Sequence, residues 1–325
     1  MSDDKCKYKS YDGQCCEETD IGSGYCFWHD KDIDKSGMDL SERLEEYAKS
    51  GGLLQGLCLA RANLENVNLV RHGQKEGYDL RHGDFYRANM TNAHLFNANL
   101  EGSSLMKAKL SEANLHCANL HNCNLLGAKL TNARLDNIKL GTHVQQEAVA
   151  RRAELRGERE KAIDYYEQSE EIYRALRKAA DDDGLIKLAG TLAYKELTMQ
   201  RKQREKFSLE RIMLKFVDLF CGYGEKPINV IIFSMGLILL SAVAFFFLGV
   251  DSGDGIIRFN PANTFKQNIE DLGSSIYFSV VTFTTLGYGD IHPHGWARLV
   301  ATIEAFVGSF ALALYVVVFV KKSSR

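Results

Sequence analysis

Thr284-Thr285-Leu286-Gly287-Tyr288-Gly289-Asp290, near the C-terminus, has the residue types and spacing to do chemistry with its main chain. A cation leaves water only where other oxygens replace its hydration shell, and rings of backbone carbonyls can do so. For successive carbonyls to face one axis, alternate residues must adopt dihedrals that a Cβ disfavours. Gly287 and Gly289 supply that freedom. Thr285 adds a hydroxyl oxygen at one end of the run. Leu286 is expected to aim its carbonyl at the ion and its side chain away from it. Tyr288 is expected to point outwards as a strut, its ring packed and its hydroxyl bonded. Asp290 would attract cations to the other end.

Two long apolar stretches flank this segment. Residues 227–250 carry no charge and are long enough to span a bilayer; residues 299–320 form a second span with Glu304 as its only charge. Between them a polar loop, residues 251–268, leads into an amphipathic segment at 272–284, fit for a re-entrant pore helix. Non-helical backbone is tolerated at membrane depth only where protein or a water-filled cavity surrounds it. In this setting Thr285 to Gly289, of the form Thr-x-Gly-Tyr-Gly, resembles the selectivity filter of two-transmembrane, pore-loop potassium channels. The resemblance implies a first span at 227–250, a pore helix at 272–284, a filter of Thr285, Leu286, Gly287, Tyr288 and Gly289, and a second span at 298–320. It also implies Asp290 at the outer mouth, K+ as the permeant ion and a homotetramer, since one chain gives one wall and four must encircle the ion. The family more often has Val at position 286, but Leu leaves the carbonyl in place, so selectivity is expected to survive. The family's common acid four residues before the filter threonine is absent, Val281 taking its place, so Asp290 lacks that carboxyl partner. Gly308, inside the second span, suits a hinge for the inner helix and equally a close-packing point against the first span.

The rest of the 325 residues is different in kind. Net charge is −2, but the first two-thirds are polar and the apolar residues crowd into the last hundred. Lys and Arg cluster before the first span (Arg201, Lys202, Arg204, Lys206, Arg211, Lys215, Lys226) and after the second (Lys321, Lys322, Arg325). The positive-inside rule then puts both termini in the cytoplasm of a plasma-membrane protein. The acidic, cysteine-rich start is not a signal peptide. No helix carries a basic residue at every third position, so a voltage sensor of the usual kind is not expected. With the chain stopping shortly after Val320, a regulatory domain is expected before the pore. No nucleophile–base constellation or phosphate-cradling loop is present, so no enzymatic activity is expected.

From Tyr78 to Leu140 the chain repeats every five residues. Leu80, Phe85, Met90, Leu95, Leu100, Leu105, Leu110, Leu115, Leu120, Leu125, Leu130, Leu135 and Leu140 hold the central place, with small residues such as Ala88, Ala93, Ala98, Ser103 and Ala108 two positions earlier. Asn fills many places between them. An earlier block, Leu59, Leu64 and Leu69, is out of step by one, with residues 70–79 bulging out as a loop. A period of five fits neither helix nor flat strand. It resembles the pentapeptide-repeat family, which implies a right-handed quadrilateral β-helix of about four coils stacked at the β spacing. This domain is assigned to residues 36–142. The block is mildly basic, which argues against DNA mimicry, and no nucleic-acid partner is expected. It serves either as a rigid spacer or assembly surface, or as a face for an unknown cytoplasmic ligand or protein.

Residues 1–35 hold Cys6, Cys15, Cys26 and His29. Cys26-x-x-His29 has close metal-ligand spacing, and glycines before Cys15 and Cys26 suit turns that aim thiolates inward. The stretch resembles a small zinc-binding module, implying a structural Zn2+ on Cys6, Cys15, Cys26 and His29. Cys16 can replace Cys15, and an unmetallated or redox-active thiol cluster and idle cysteines are the other readings. Residues 143–206 read as a helical hairpin turning at Asp181-Asp182-Asp183-Gly184. Residues 207–226 read as an amphipathic helix, either lying along the inner membrane surface or packed in the ordinary way. The expected architecture is therefore mixed: a cytoplasmic β-helix with a helical linker, then an all-α two-span pore domain. The leading function is passive K+ conduction gated or assembled by the N-terminal half. The alternatives are a nonselective cation channel and a membrane-anchored interaction module with a silent pore.

Overall fold

The computed structural model describes residues 5–253 and 255–323; Arg325, counted above among the basic residues after the second span, lies outside them. Its contacts divide into two compact units, residues 1–211 and 212–325.

The first unit is built on a stacked coil. Parallel bridges join Asp79 to Asn99, Asn99 to Asn119 and Asn119 to Lys139, a spacing of twenty residues per turn. Two residues after most central apolar positions the chain turns through positive φ, as at His82 (57°), Asn97 (56°), Asn122 (56°) and Asn137 (56°), with Gly102 and Gly127 in the same place. Of the residues with a Cβ, Asn is among those that tolerate this region best, which accounts for its recurrence between the leucines. The central leucines point inward, and Leu80, Leu95, Leu100, Leu105, Leu110 and Leu115 have no exposed surface. Main-chain groups bond to the next turn of the coil, for example Leu95 N to Asn114 O and Asn114 N to Ala93 O, both at 2.9 Å. The out-of-step block joins the same stack: Cys58, Asn63 and Asn68 pair with Asp84, Asn89 and His94. Each of those pairs is twenty-six apart rather than twenty, so six extra residues leave the coil within 70–79. One bridged column, Asp39, Asn63, Asn89, Lys109 and Lys129, runs the length of the stack. Replacing Leu100 by Ala is expected to cost about 2–5 kcal/mol, read as a lower thermal unfolding midpoint of this unit.

An open coil leaves unpaired groups at both ends, and this one is capped. At the first turns, Trp28 O accepts from Cys58 N at 2.8 Å and Met38 O accepts from Asn63 N at 2.9 Å. Helix α1 (Ser41–Lys49) is inserted after Asp39. At the far end stand α2 (Gln145–Leu155), α3 (Arg159–Asp182) and α4 (Ile186–Gln203). Asp183 accepts from Leu135 N at 3.0 Å, and Gln146 donates to Asn124 at 2.6 Å. The region expected as a two-helix hairpin thus holds three helices, because Gly157 at φ 78° breaks the first stretch. The fully buried Glu147 accepts from Tyr173 at 2.5 Å, and Glu196 ties α4 to Arg174 and Arg177 of α3. One contiguous core runs from Cys6 to Met199.

The second unit holds most of α5 (Leu209–Cys221), then α6 (Pro227–Leu248), α7 (Phe265–Phe283) and α8 (Ala297–Ser323). Three two-residue strands, β1 (Val250–Asp251), β2 (Ile256–Ile257) and β3 (His292–Pro293), form a small antiparallel sheet in the order β2-β1-β3. Pro227 starts α6 at a position where its missing N–H costs nothing. Helix α7 starts earlier than the expected residue 272, because Thr264 and Gln267 form a capping box there. Helices α6 and α8 are each long and apolar enough to cross a membrane. Their outer faces stay apolar where water would normally select polar groups: Ile232, Leu240, Phe306 and Val317 are 64, 68, 64 and 63% exposed.

Candidate functional site

Helix α7 delivers the chain to residues 285–289. Its ladder closes with Thr284 N on Val280 O, Thr285 N on Thr282 O and Leu286 N on Val281 O, each at 3.0 Å. From there φ is positive at alternate residues: Thr285 at 57°, Gly287 at 54° and Gly289 at 78°. That is the alternation a row of co-directed carbonyls demands. Two of the three positions are glycine; the third is a β-branched residue held in a strained region, which the sequence did not suggest. The C-terminal end of α7, with its partial negative charge of about half a unit, abuts the start of this segment. Leu286 and Tyr288 are 60 and 68% exposed within one chain. Any packing of their side chains must therefore come from outside it. Thr285 and Gly287 line an open cavity of 690 Å³ with Arg298, Ala301 and Thr302 of α8.

The supports of this segment come from distant parts of the unit. Asp290, expected to lack an acid partner behind it, accepts from the Tyr277 hydroxyl at 2.8 Å. Val281 is buried. The acid in this unit's interior comes instead from α8: Glu304 is 1% exposed, and its Oε1 lies 2.5 Å from Ser279 Oγ on α7. Ser279 also lies 2.8 Å from the Ile238 carbonyl of α6. Gly308 is a point of close approach to α7. A Cβ built on it would sit 2.2 Å from the Phe283 carbonyl oxygen, and α8 runs unbroken through it. Tyr277 and Ser279 carried no sequence signal, because only the folded chain brings them to their partners.

A second cluster lies in the first unit. Cys6, Cys16, Cys26 and His29 are all buried, and their ligand atoms lie within 4.8 Å of one another. The cluster takes in Cys16 and leaves out Cys15. Cys15 pairs with Lys9 as an extended bridge and is exposed, and the next side chain along such a segment turns to the opposite, inner face. Cys16 and Cys26 Sγ are 3.8 Å apart. Zinc–sulfur bonds of about 2.3 Å in a tetrahedron put sulfurs about 3.8 Å apart. His29 Nε2 lies 2.9 Å from the Gln55 carbonyl, which fixes Nε2 as the protonated nitrogen and leaves the Nδ1 lone pair facing Cys26 Sγ at 3.1 Å. Tyr8 stacks on the imidazole at 4.1 Å. Burial pushes the Cys26 thiol up to about 12, raises the Cys16 thiol and holds His29 below its usual value. Metal-free, Cys16, Cys26 and His29 are thus neutral donors, and a bound ion must displace the protons of those two thiols. The donor set and its spacing fit a Cys3His zinc site.

Comparison with known proteins agrees with this division. An ion-channel domain matches residues 233–324, and pentapeptide repeats, in eight copies, match residues 79–111 and 103–141. Over 65 residues the chain is 34% identical to Protein LctB of Bacillus caldotenax, covering 20% of this chain and 48% of that protein. It therefore spans about half the length of the curated relative it matches. A pentapeptide repeat protein from the Arabidopsis thaliana thylakoid lumen is 27% identical, at a TM-score of 0.24 over 26% of this chain and 55% of that one. Rfr23, a pentapeptide repeat protein of the cyanobacterium Cyanothece 51142, is 30% identical, at 0.23 over 26% and 57%. Neither matched family is a family of enzymes. The chain carries an ion-channel domain with two apolar helices behind a block of pentapeptide repeats.

Proposed function

We propose that the protein is a homotetrameric, potassium-selective channel of the plasma membrane that conducts K+ passively. The observation that carries this reading is the alternation of positive φ at Thr285, Gly287 and Gly289, at the end of a helix set between two apolar spans. Main-chain carbonyls of residues 285–289 replace water around the ion, and Asp290 stands at the outer mouth. The exposed Leu286 and Tyr288 gain their packing from neighbouring subunits, which is the argument for a ring. Both termini lie in the cytoplasm. The repeats form a right-handed quadrilateral β-helix that gates or assembles the pore, open to an unknown cytoplasmic ligand or protein. Helix α5, with Leu209, Ile212, Met213 and Phe216 exposed, lies on the inner membrane surface. Gly308 lets α8 pass close to α7 and is the natural place for the inner helix to bend. Cys6, Cys16, Cys26 and His29 hold a structural zinc ion, which supplies a covalent-like cross-link in a segment with little core of its own.

Purified protein in liposomes tests the conduction. Potassium flux with sodium excluded is the expected result. Equal permeation of both ions would replace this reading with a nonselective cation channel, and no flux at all with a membrane-anchored interaction module.

A further inference from the structure

Among the described residues, Glu304 is the one ionisable side chain buried within the three long helices of the second unit. Among these residues no counter-charge faces it. Helix α6 has no charged residue, and brings Ser241 and the Ile238 carbonyl. Helix α7 brings Ser279, and its charged residues Lys266, Glu270 and Asp271 all lie two turns or more before that serine. On α8, Arg298 is six residues away and directs its guanidinium to the Pro293 carbonyl.

The hydrogen bonds can be counted. Ser279 Oγ lies 2.8 Å from the Ile238 carbonyl oxygen and 2.5 Å from Glu304 Oε1. Serine has one hydroxyl hydrogen, and a carbonyl oxygen and an ionised carboxylate can only accept. With an anion at Glu304, two acceptors compete for that one hydrogen and one contact is left without a proton. With a carboxylic acid, Glu304 donates to Ser279 Oγ, Ser279 donates to the Ile238 carbonyl, and both contacts are filled. The second carboxyl oxygen, Oε2, has no partner within hydrogen-bond distance among the described residues, with the Ser241 hydroxyl of α6 beside the carboxyl. An under-bonded oxygen is far costlier on an anion than on a neutral carboxyl.

The geometry points to Glu304 as a protonated acid that passes a hydrogen-bond relay from α8 through Ser279 to α6. The relay fixes the position of α7 between the two spans. Ser279 stands six residues before Thr285 on the helix that ends there, so whatever sets the place of Ser279 sets the place of the carbonyls. Glu304 is a positioning residue and does not touch the ion path.

The test uses the full chain, as wild type, Glu304→Gln, Glu304→Ala and Ser279→Ala; its flux arm rests on the conduction reading above. The infrared difference spectrum between wild type and Glu304→Gln is expected to contain the C=O stretch of a protonated carboxylic acid at neutral pH. Gln supplies the same hydrogen to Ser279, so it keeps the K+/Na+ flux ratio within about twofold of wild type. Glu304→Ala and Ser279→Ala lower that ratio by about tenfold or more, the equivalent of leaving a buried polar group unpaired. Thermal unfolding of the same samples reads the relay without conduction: Gln unfolds with wild type, and Ala well below it. A spectrum lacking the carboxylic band, or Gln behaving as Ala does, overturns the relay. Absence of flux from wild type sinks the conduction reading alone, since spectrum and unfolding midpoints still decide the relay.

Discussion

Replacing Gly289 by Ala is expected to abolish potassium flux while leaving the chain folded. Gly289 has φ 78°, and no heavy atom lies within 4 Å of a Cβ built on it. The damage is therefore conformational and not a clash within the chain. An L-residue in the left-handed region costs about 1–2 kcal/mol, and four copies in a ring bring this to about 4–8 kcal/mol. The segment relieves that cost by rotating the peptide, which turns a carbonyl away from the ion. Flux is expected to fall by about a thousandfold or more, taking about 1.4 kcal/mol per factor of ten. Gly273 on α7 is the control: it also has open space around it, but its φ is not in the left-handed region. Ala there is expected to leave flux unchanged and to stabilise by about 0.4–1 kcal/mol. Flux assays on tetramer-sized fractions of both variants make the comparison, and retained selective flux in Gly289→Ala would contradict the carbonyl account.

The second large effect is expected at the cysteine cluster. Replacing Cys16 by Ser should remove the bound metal, and replacing Cys15 by Ser should leave it. Structural zinc sites have apparent binding free energies of about 10–16 kcal/mol, so loss of one thiolate from a four-ligand set is felt as lost folding stability. The cluster also anchors the cap on the first coil, through His29 to Gln55 and Trp28 to Cys58. Thermal unfolding of the Cys16→Ser and Cys26→Ser proteins is therefore expected to begin earlier, and a strong chelator should reproduce the shift in wild type. Elemental analysis gives the direct reading: about one zinc per chain for wild type and Cys15→Ser, and none for Cys16→Ser. Zinc lost from Cys15→Ser and kept by Cys16→Ser would reverse the ligand assignment.

How far the sequence reached depended on whether the signal was local. The five-residue period was legible because every fifth residue, Leu80, Leu95, Leu100 and their counterparts, points into the interior of the coil, and those twenty apart, such as Leu80 and Leu100, stack in one column. Asn at the turns was a second local sign, since its tolerance of positive φ is a property of the single residue. The choice between Cys15 and Cys16 was not legible, because it depends on which face one extended pair with Lys9 presents. The start of α7 was legible in principle from Thr264-x-x-Gln267, but apolar periodicity alone begins a turn or more too late. Tyr277 with Asp290, Glu304 with Ser279, and Gly308 with Phe283 are meetings of residues 13 to 25 apart that no local pattern encodes. A lone acid in an apolar span was visible; the serine that makes it tolerable was not.

The account stands on main-chain oxygens of residues 285–289 coordinating a dehydrated cation. An experimental structure of the assembled protein in rubidium or thallium, with anomalous scattering recorded, tests that most directly. The account predicts heavy-ion density in a row on a fourfold axis, ringed by those carbonyls from four chains. Density elsewhere, an axis of another order, or an axis filled by side chains at the level of Tyr288 would contradict it.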